Sequence, residues 1–87
     1  MERIIVNVIC DLSGVPNLEA LLPQELEAAS QLKEKGVLEH VFAKSDASGA
    51  ILVFKGADES QVKQYVANFP LAPYFGVVVY TNTEKHF

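Results

Sequence analysis

Two segments of the chain have apolar residues at both alternating sets of positions. Residues 3–9 read Arg-Ile-Ile-Val-Asn-Val-Ile, and residues 75–81 read Phe-Gly-Val-Val-Val-Tyr-Thr. A strand with one face in water alternates apolar and polar residues. These two segments therefore predict strands whose two faces are both covered.

A helix is predicted over residues 23–35, between a proline and a glycine. Pro23 suits the first turn of a helix because it lacks the backbone N–H that a helix interior needs. Lys33 lies in the last turn, where a cation complements the helix dipole, and Gly36 ends the segment. The turn-rich residues 11–16 separate this helix from the first strand.

A second helix is predicted to begin after Asp58. Gln61 follows three residues later, which is the spacing of a capping box. Apolar residues then recur at i, i+3, i+4 and i+7, as on the buried face of a helix. They are Val62, Tyr65, Val66 and Phe69, and Pro70 and Pro73 follow them in a predicted extended connector.

Residues 37–44 and 50–55 predict two strands joined by the loop 45–49, which ends in glycine. The order of elements is then β-α-β-β-α-β in a single domain, residues 1–87. This order is typical of the α+β ferredoxin-like unit, a four-stranded antiparallel sheet with two helices on one face.

The face of this sheet away from the helices is predicted to be apolar. Apolar residues make up 49% of the chain, and exposing such a face to water would forgo several kcal/mol at ~25 cal/mol per Å². A homodimer packed through its sheets would cover it. The alternative is that the C-terminal tail or the 11–22 segment folds over it.

Charge and motif content exclude several classes of partner. The net charge is −4, and the seven basic residues form no cluster, so neither nucleic acid nor a membrane surface is an expected partner. No apolar run is long enough to span a bilayer. No nucleotide-binding or metal-binding spacing is present, so no cofactor or metal is expected. The single cysteine, Cys10, fits a reducing, cytoplasmic compartment.

Glu25 is the most informative candidate for chemistry. At ~100° per residue it falls near the centre of the apolar stripe of the first predicted helix. Three interpretations stay open: a helix-cap carboxylate near Pro23, an acid or base in a cleft, or a salt bridge to another copy in an oligomer or crystal. The apolar residues of that stripe are Leu18, Leu22, Leu26, Ala29 and Leu32, with Leu21 and Ala28 at its edge.

Three further residues are candidate ligand-binding groups. His40 alternates with Leu38 and Phe42, so it is placed on their face of the second strand, where it is either a half-buried structural residue or a proton partner of Glu25. Tyr74 either packs at a rim or orients a polar ligand. Asn7 is the polar residue inside the first strand, and it faces either a ligand or a partner strand.

Residues 24–79 resemble muconolactone δ-isomerase, a small cofactor-free enzyme of aromatic catabolism. The resemblance rests most of all on Pro-Leu-Ala-Pro-Tyr at 70–74, which matches the family's P-L-x-P-Y motif. It implies a dimeric α/β barrel, a larger ring of subunits, and a pocket in which an acidic residue, by position Glu25, shifts a proton on an unsaturated lactone. His40 and Tyr74 would line that pocket. The other matching residues are Glu27, Ala29, Leu32, Gly36, Val53 and Phe54.

The sequence departs from this family around residues 43–50. The family has a Gly-His-Tyr-x-Asn run there, with a basic residue shortly before it, whereas this chain has small and acidic residues such as Ala43 and Asp46. The cation that would bind a carboxylate substrate is missing. The resemblance therefore implies a less charged unsaturated lactone or carbonyl compound.

Overall fold

Four strands and two α-helices follow one another in the predicted order β-α-β-β-α-β. The structure is a computed structural model that describes residues 1–87. The strands form one antiparallel sheet in the order β2-β3-β1-β4. The prediction of an α+β ferredoxin-like fold is confirmed. The elements are β1 (Glu2–Ile9), α1 (Leu18–Glu34), β2 (Leu38–Ala43), β3 (Gly49–Phe54), α2 (Glu59–Ala67) and β4 (Val77–Glu84).

The central strand β1 divides its side chains between two faces of the sheet. Ile4, Val6 and Val8 are buried in the core with the helices. The opposite face, which we call the open face, carries the alternating residues of β1 and their cross-strand partners. Phe54 of β3 pairs with Ile4 and is fully buried, which places the centre of the core on the helix side of the sheet. The open-face residues of β1, β3 and β4 are Ile5, Asn7, Ile9, Ile51, Val53, Val77, Val79 and Thr81.

Neither of the segments proposed to cover the open face does so. In the 11–22 segment, Val15 is buried in the helix-side core and Leu12 and Leu18 pack against that core. At the C-terminus, Phe87 is fully exposed. Large apolar side chains on the open face consequently remain between 45% and 56% exposed, namely Ile9, Phe42, Val77 and Val79.

Helix α1 begins one and a half turns earlier than the sequence predicted. Pro23 lies inside the helix rather than at its start, so that prediction is wrong. A proline there removes the backbone bond that residue 23 would donate to the carbonyl of Glu19. Glu19 and Pro23 are both exposed, so water can solvate the freed carbonyl. The apolar residues Leu18 and Leu21, which pack on the core, stabilise the preceding turn.

Helix α2 begins as the sequence predicted. The Asp58 carboxylate accepts a hydrogen bond from the Gln61 backbone N–H (2.8 Å), and the Gln61 side chain accepts one from the Asp58 N–H (3.0 Å). Val62 and Val66 are buried, and the Tyr65 ring stacks on Phe54 with centroids 6.3 Å apart. Local capping chemistry and apolar periodicity were sufficient to place this element.

The C-terminal part of the chain differs from the prediction in two places. Residues Ala72–Tyr74 form a short 3-10 turn rather than an extended connector. Strand β4 starts later than residue 75 and continues to Glu84, because it pairs with β1 as far as Glu2. Neither helix is long and apolar enough to cross a membrane.

Candidate functional site

Glu25 lies on the inner face of α1, two turns inside the helix. It is half-buried, and the inner stripe around it consists of Leu18, Leu21, Ala28, Ala29 and Leu32. The predicted apolar stripe included Leu22 and Leu26, but both are exposed. The observed stripe is therefore rotated around the helix axis relative to the predicted one. Position within the helix rules out the cap interpretation, since capping acids lie in the first turn.

The partner of Glu25 is a backbone group far away in the sequence. The Leu71 N–H donates a hydrogen bond to Oε1 of Glu25 at 3.0 Å. Leu71 is buried and follows α2, so this bond connects α1 to the segment between α2 and β4. Within the chain, no salt bridge involves Glu25.

Burial raises the pKa of the Glu25 carboxyl above its ordinary value, although the hydrogen bond from Leu71 acts in the opposite direction. Removal from water disfavours the charged form, and no cation neighbours this carboxylate to restore it. A carboxyl group of this kind exchanges its proton closer to neutral pH than an exposed one. The geometry suits an acid or base.

A network of hydrogen bonds holds the turn that carries the Glu25 partner. The Tyr74 N–H donates to the Leu71 carbonyl (2.9 Å), and the Cys10 thiol donates to the Tyr74 carbonyl (3.3 Å). Cys10 is buried, and this burial, followed by the negative charges of Asp11 and Glu25, raises the pKa of its thiol. We call Cys10, Glu25, Leu71 and Tyr74 the Glu25 cluster. The Tyr74 side chain is 41% exposed at this location.

His40 lies on the other side of the sheet from the Glu25 cluster. A β-bulge between Leu38 and His40 changes the alternation, so Leu38 pairs with buried Phe54 whereas His40 pairs with Val53 on the open face. The prediction that His40 shares a face with Leu38 is therefore wrong, because a bulge adds one residue to the strand and reverses the side-chain direction. His40 cannot exchange a proton with Glu25 within one subunit.

Asn7 is also on the open face, at the centre of strand β1. Its Oδ1 atom is buried and has no hydrogen-bond partner. Of the four residues predicted for one site, the structure connects Glu25 and Tyr74 through backbone hydrogen bonds of the turn at Leu71. It separates them from His40 and Asn7 by the thickness of the sheet.

Sequence reasoning missed an ion pair on the open-face side. Arg3 donates from Nε to Glu39 Oε1 (2.8 Å) and from Nη2 to Oε2 (3.1 Å), and the two residues are 7% and 15% exposed. Lys85 and His40 each approach the same carboxylate at 3.8 Å. The pKa of Glu39 is lowered to about 2, chiefly by the Arg3 hydrogen bonds and further by the positive charges of Arg3 and Lys85. Pairing Arg3 with Glu39 requires the register of the strands, and the sequence alone does not give that register.

One cleft of the molecule is distant from the Glu25 cluster. It encloses about 990 Å³ at the end of the sheet where α2 begins, and it contains no residue of that cluster. Its lining is mostly polar and includes Lys55, Asp58 and Glu84. No group of three or more His, Cys, Asp or Glu side chains is arranged to hold a metal ion.

Comparison with known proteins identifies a family model that matches most of the chain. The family model described as muconolactone delta-isomerase matches residues 11–86. The chain belongs to this family. The match confirms the resemblance inferred from the sequence, and it includes every member of the Glu25 cluster except Cys10.

Two solved structures share the fold of this muconolactone delta-isomerase family member. One is the 5-chloro-2-hydroxyhydroquinone dehydrochlorinase of Burkholderia phenoliruptrix in complex with 2,5-dihydroxybenzoquinone, with 18% identity, a TM-score of 0.62, and coverage of 100% of this chain and 96% of that one. The other is a hypothetical protein from Pyrococcus horikoshii, with 9% identity, a TM-score of 0.52, and coverage of 99% and 94%. A search of curated proteins found no match.

Proposed function

We propose that this chain is a cofactor-free isomerase that moves a double bond in a small unsaturated lactone or carbonyl compound. Glu25 would take a proton from one carbon and return it to another. Family membership supports this reaction class. The observation that carries the proposal is the half-buried Glu25 carboxyl, which has a raised pKa and a backbone N–H as its partner.

The proposed reaction is a 1,3 proton shift. The ionised Glu25 carboxylate removes a proton from a carbon next to the unsaturated system, and the C–H electron pair delocalises into the carbonyl as a dienolate. The protonated Glu25 then returns the proton to the carbon two positions away, and the double bond moves. Atoms and charge balance, because Glu25 ends the cycle ionised as it began.

The Glu25 cluster provides orientation for this step. The Leu71 N–H binds Oε1 and thereby restricts the rotation of the carboxylate, and Oε2 would be the oxygen that exchanges the proton with the substrate. The Tyr74 phenol would hydrogen-bond the substrate carbonyl at this position. The exposed Leu22 and Leu26 supply apolar surface on the same helix for an uncharged carbon skeleton.

We also propose that the protein is a homodimer packed through the open face. Family membership and the half-exposed Ile9, Phe42, Val77 and Val79 support this assembly. The burial of that apolar surface is favourable by ~25 cal/mol per Å². His40 and Asn7 would then lie between the two subunits rather than beside Glu25.

The test of catalysis compares Glu25→Gln with wild type on a five-membered unsaturated lactone in D₂O. Proton NMR follows both the migration of the double bond and the loss of the exchangeable C–H signal. Glutamine can still accept the Leu71 hydrogen bond but cannot move a proton. We expect a loss of about 10²–10⁴-fold in rate, the usual contribution of a general acid or base.

Glu27→Gln is the matched control for this experiment. Glu27 is exposed on the same helix, accepts a hydrogen bond from Gln31 (3.4 Å) and lies outside the Glu25 cluster. Its substitution should leave the rate unchanged. Equal rates for Glu25→Gln and wild type would remove Glu25 from the mechanism.

A non-catalytic oligomeric binding module is the second candidate function. It is favoured by the same Glu25–Leu71 hydrogen bond, which connects α1 to the segment after α2 and thus has a structural role of its own. The two functions differ in D₂O. A binding module would shift the NMR signals of a bound lactone without any exchange of its C–H protons.

A further inference from the structure

Asn7 occupies the centre of the apolar open face. Along β1 its neighbours on that face are Ile5 and Ile9. Directly across from it, β3 contributes Ile51 and β4 contributes Val79. An amide is thus surrounded on four sides by β-branched apolar side chains, at a position where valine or isoleucine would pack equally well.

The amide of Asn7 is incompletely satisfied within one subunit. Its Oδ1 is shielded from water and accepts no hydrogen bond. A buried acceptor without a donor is unfavourable, and native structures contain few of them. A donor from outside the subunit satisfies this oxygen after a rotation of the Asn7 side chain toward the occupant of the open face.

A second copy of this chain supplies that donor by symmetry. A two-fold axis through the centre of the apolar patch places each subunit's Asn7 opposite itself. An amide carries both a donor and an acceptor, so two of them pair reciprocally. Packed sheets lie about 10 Å apart, a gap that two asparagine side chains span end to end with N–H···O contacts of about 2.9 Å.

The open face is small for a protein interface, so a directional contact would help to fix how two copies pack. Four strands about 4.8 Å apart, with six to eight residues at about 3.3 Å each, cover roughly 400 Å² of flat area per copy. Two such faces amount to roughly 800 Å² of flat area, and the relief of the side chains raises the buried area toward the lower end of the ~1,200–2,000 Å² range of stable interfaces. Because hydrophobic contacts are non-directional, apolar faces of this kind have little that fixes the position of one sheet on the other.

We propose that Asn7 marks the two-fold axis of the homodimer and that its amide pairs with the partner subunit's Asn7, which fixes the register of the two sheets. This inference rests on the homodimer proposed above. A single buried polar residue at an apolar interface can specify register in this way in coiled coils. Asn7 therefore has an assembly role rather than a role in substrate binding.

Asn7→Asp tests the pairing, because it keeps the shape of the side chain, replaces the amide donor with a second acceptor oxygen and introduces a negative charge. Sedimentation velocity at pH 7.5 should show wild type at no less than twice the chain mass of 9.5 kDa. The variant should dissociate with a dimer dissociation constant at least tenfold higher. Mixing it with isotope-labelled wild type should yield mixed dimers by native mass spectrometry, since the wild-type amide donates to the new carboxylate.

Asn17→Asp is the matched control. Asn17 precedes α1, is exposed and makes no side-chain cap hydrogen bond, so the same change of charge should leave the dimer intact. A folded Asn7→Asp protein that dimerises as tightly as wild type would overturn the Asn7 pairing and leave the homodimer standing. A wild-type protein that stays monomeric up to millimolar concentration would overturn the homodimer itself.

A measurement on wild type keeps the inference testable if Asn7→Asp does not fold. In a dimer of one labelled and one unlabelled subunit, isotope-filtered NMR detects contacts between subunits only. The side-chain amide protons of Asn7 should show a contact to the β-protons of the partner's Asn7. A dimer without this contact would contradict the proposal.

Discussion

Glu25 and Glu39 are both partly buried, and their pKa values are shifted in opposite directions. Glu25 has no neighbouring cation, and burial raises its pKa. Glu39 is held by Arg3, and its pKa falls to about 2. The same side chain is therefore a permanent anion in one place and a group able to exchange a proton in the other.

The Arg3–Glu39 pair predicts an acid-dependent loss of stability. The folded-state pKa of Glu39 is about 2, below its ordinary value of 4.5. A depressed pKa contributes stability above the unfolded-state value, and this contribution is lost as the pH falls from about 4.5 toward 2. Urea unfolding should show wild type more stable than Glu39→Gln at pH 7, with a difference that decreases through this window.

Arg3→Gln provides the complementary variant for the ion pair. It removes the cation that lowers the pKa of Glu39. The difference in stability between wild type and Arg3→Gln should therefore also decrease as the pH falls from about 4.5 toward 2. A gap between wild type and Glu39→Gln that stays constant from pH 7 to pH 2 would contradict the assigned pairing.

At the scale of single residues, the sequence identified Glu25 but not its partners. The helical periodicity of α1 places Glu25 on the inner face, because that periodicity is local. The Leu71 N–H and the Arg3–Glu39 pair were not predictable, since each joins residues more than thirty positions apart through a register that only the folded sheet defines.

At the scale of elements, Pro23 is the local signal that misled prediction. It predicts a helix start, yet α1 extends past it toward the N-terminus because Leu18 and Leu21 pack on the core. Tertiary packing outweighs the local preference of one residue. The bulge in β2 is a second example, because no sequence pattern signalled that His40 would point away from the helices.

Pro23→Ala should stabilise the protein. Alanine restores the backbone hydrogen bond to Glu19 and removes the clash of the proline ring inside α1. Proline is about 3 kcal/mol less favourable than alanine in a helix interior, so we expect an increase of about 1–3 kcal/mol in the free energy of unfolding by urea titration.

Pro16→Ala serves as the control for chain entropy. Pro16 is an exposed proline before α1, and its substitution frees the unfolded chain without adding a helix bond. It should decrease stability by up to about 1 kcal/mol. If Pro23→Ala were as destabilising as this control, the helix would not be continuous through residue 23.

At the scale of the whole molecule, the sheet divides the chain into two functional sides. The helix side carries the Glu25 cluster, and the open face carries His40 and Asn7. The sequence predicted the element order and the apolar character of both faces. It could not assign Asn7 and His40 to their side, because a shift of one residue in a strand reverses every side chain.

The carboxyl pKa of Glu25 is the measurement that tests the proposed mechanism most directly. Carbon-13 NMR of the side-chain carboxyl, assigned by its disappearance in Glu25→Gln, gives this value without any substrate. We predict a titration midpoint above the ordinary 4.5 of glutamate, since burial outweighs the Leu71 hydrogen bond. A midpoint at or below 4.5 would show a solvated or charge-stabilised carboxylate and would contradict the assignment of Glu25 as the proton-transfer group.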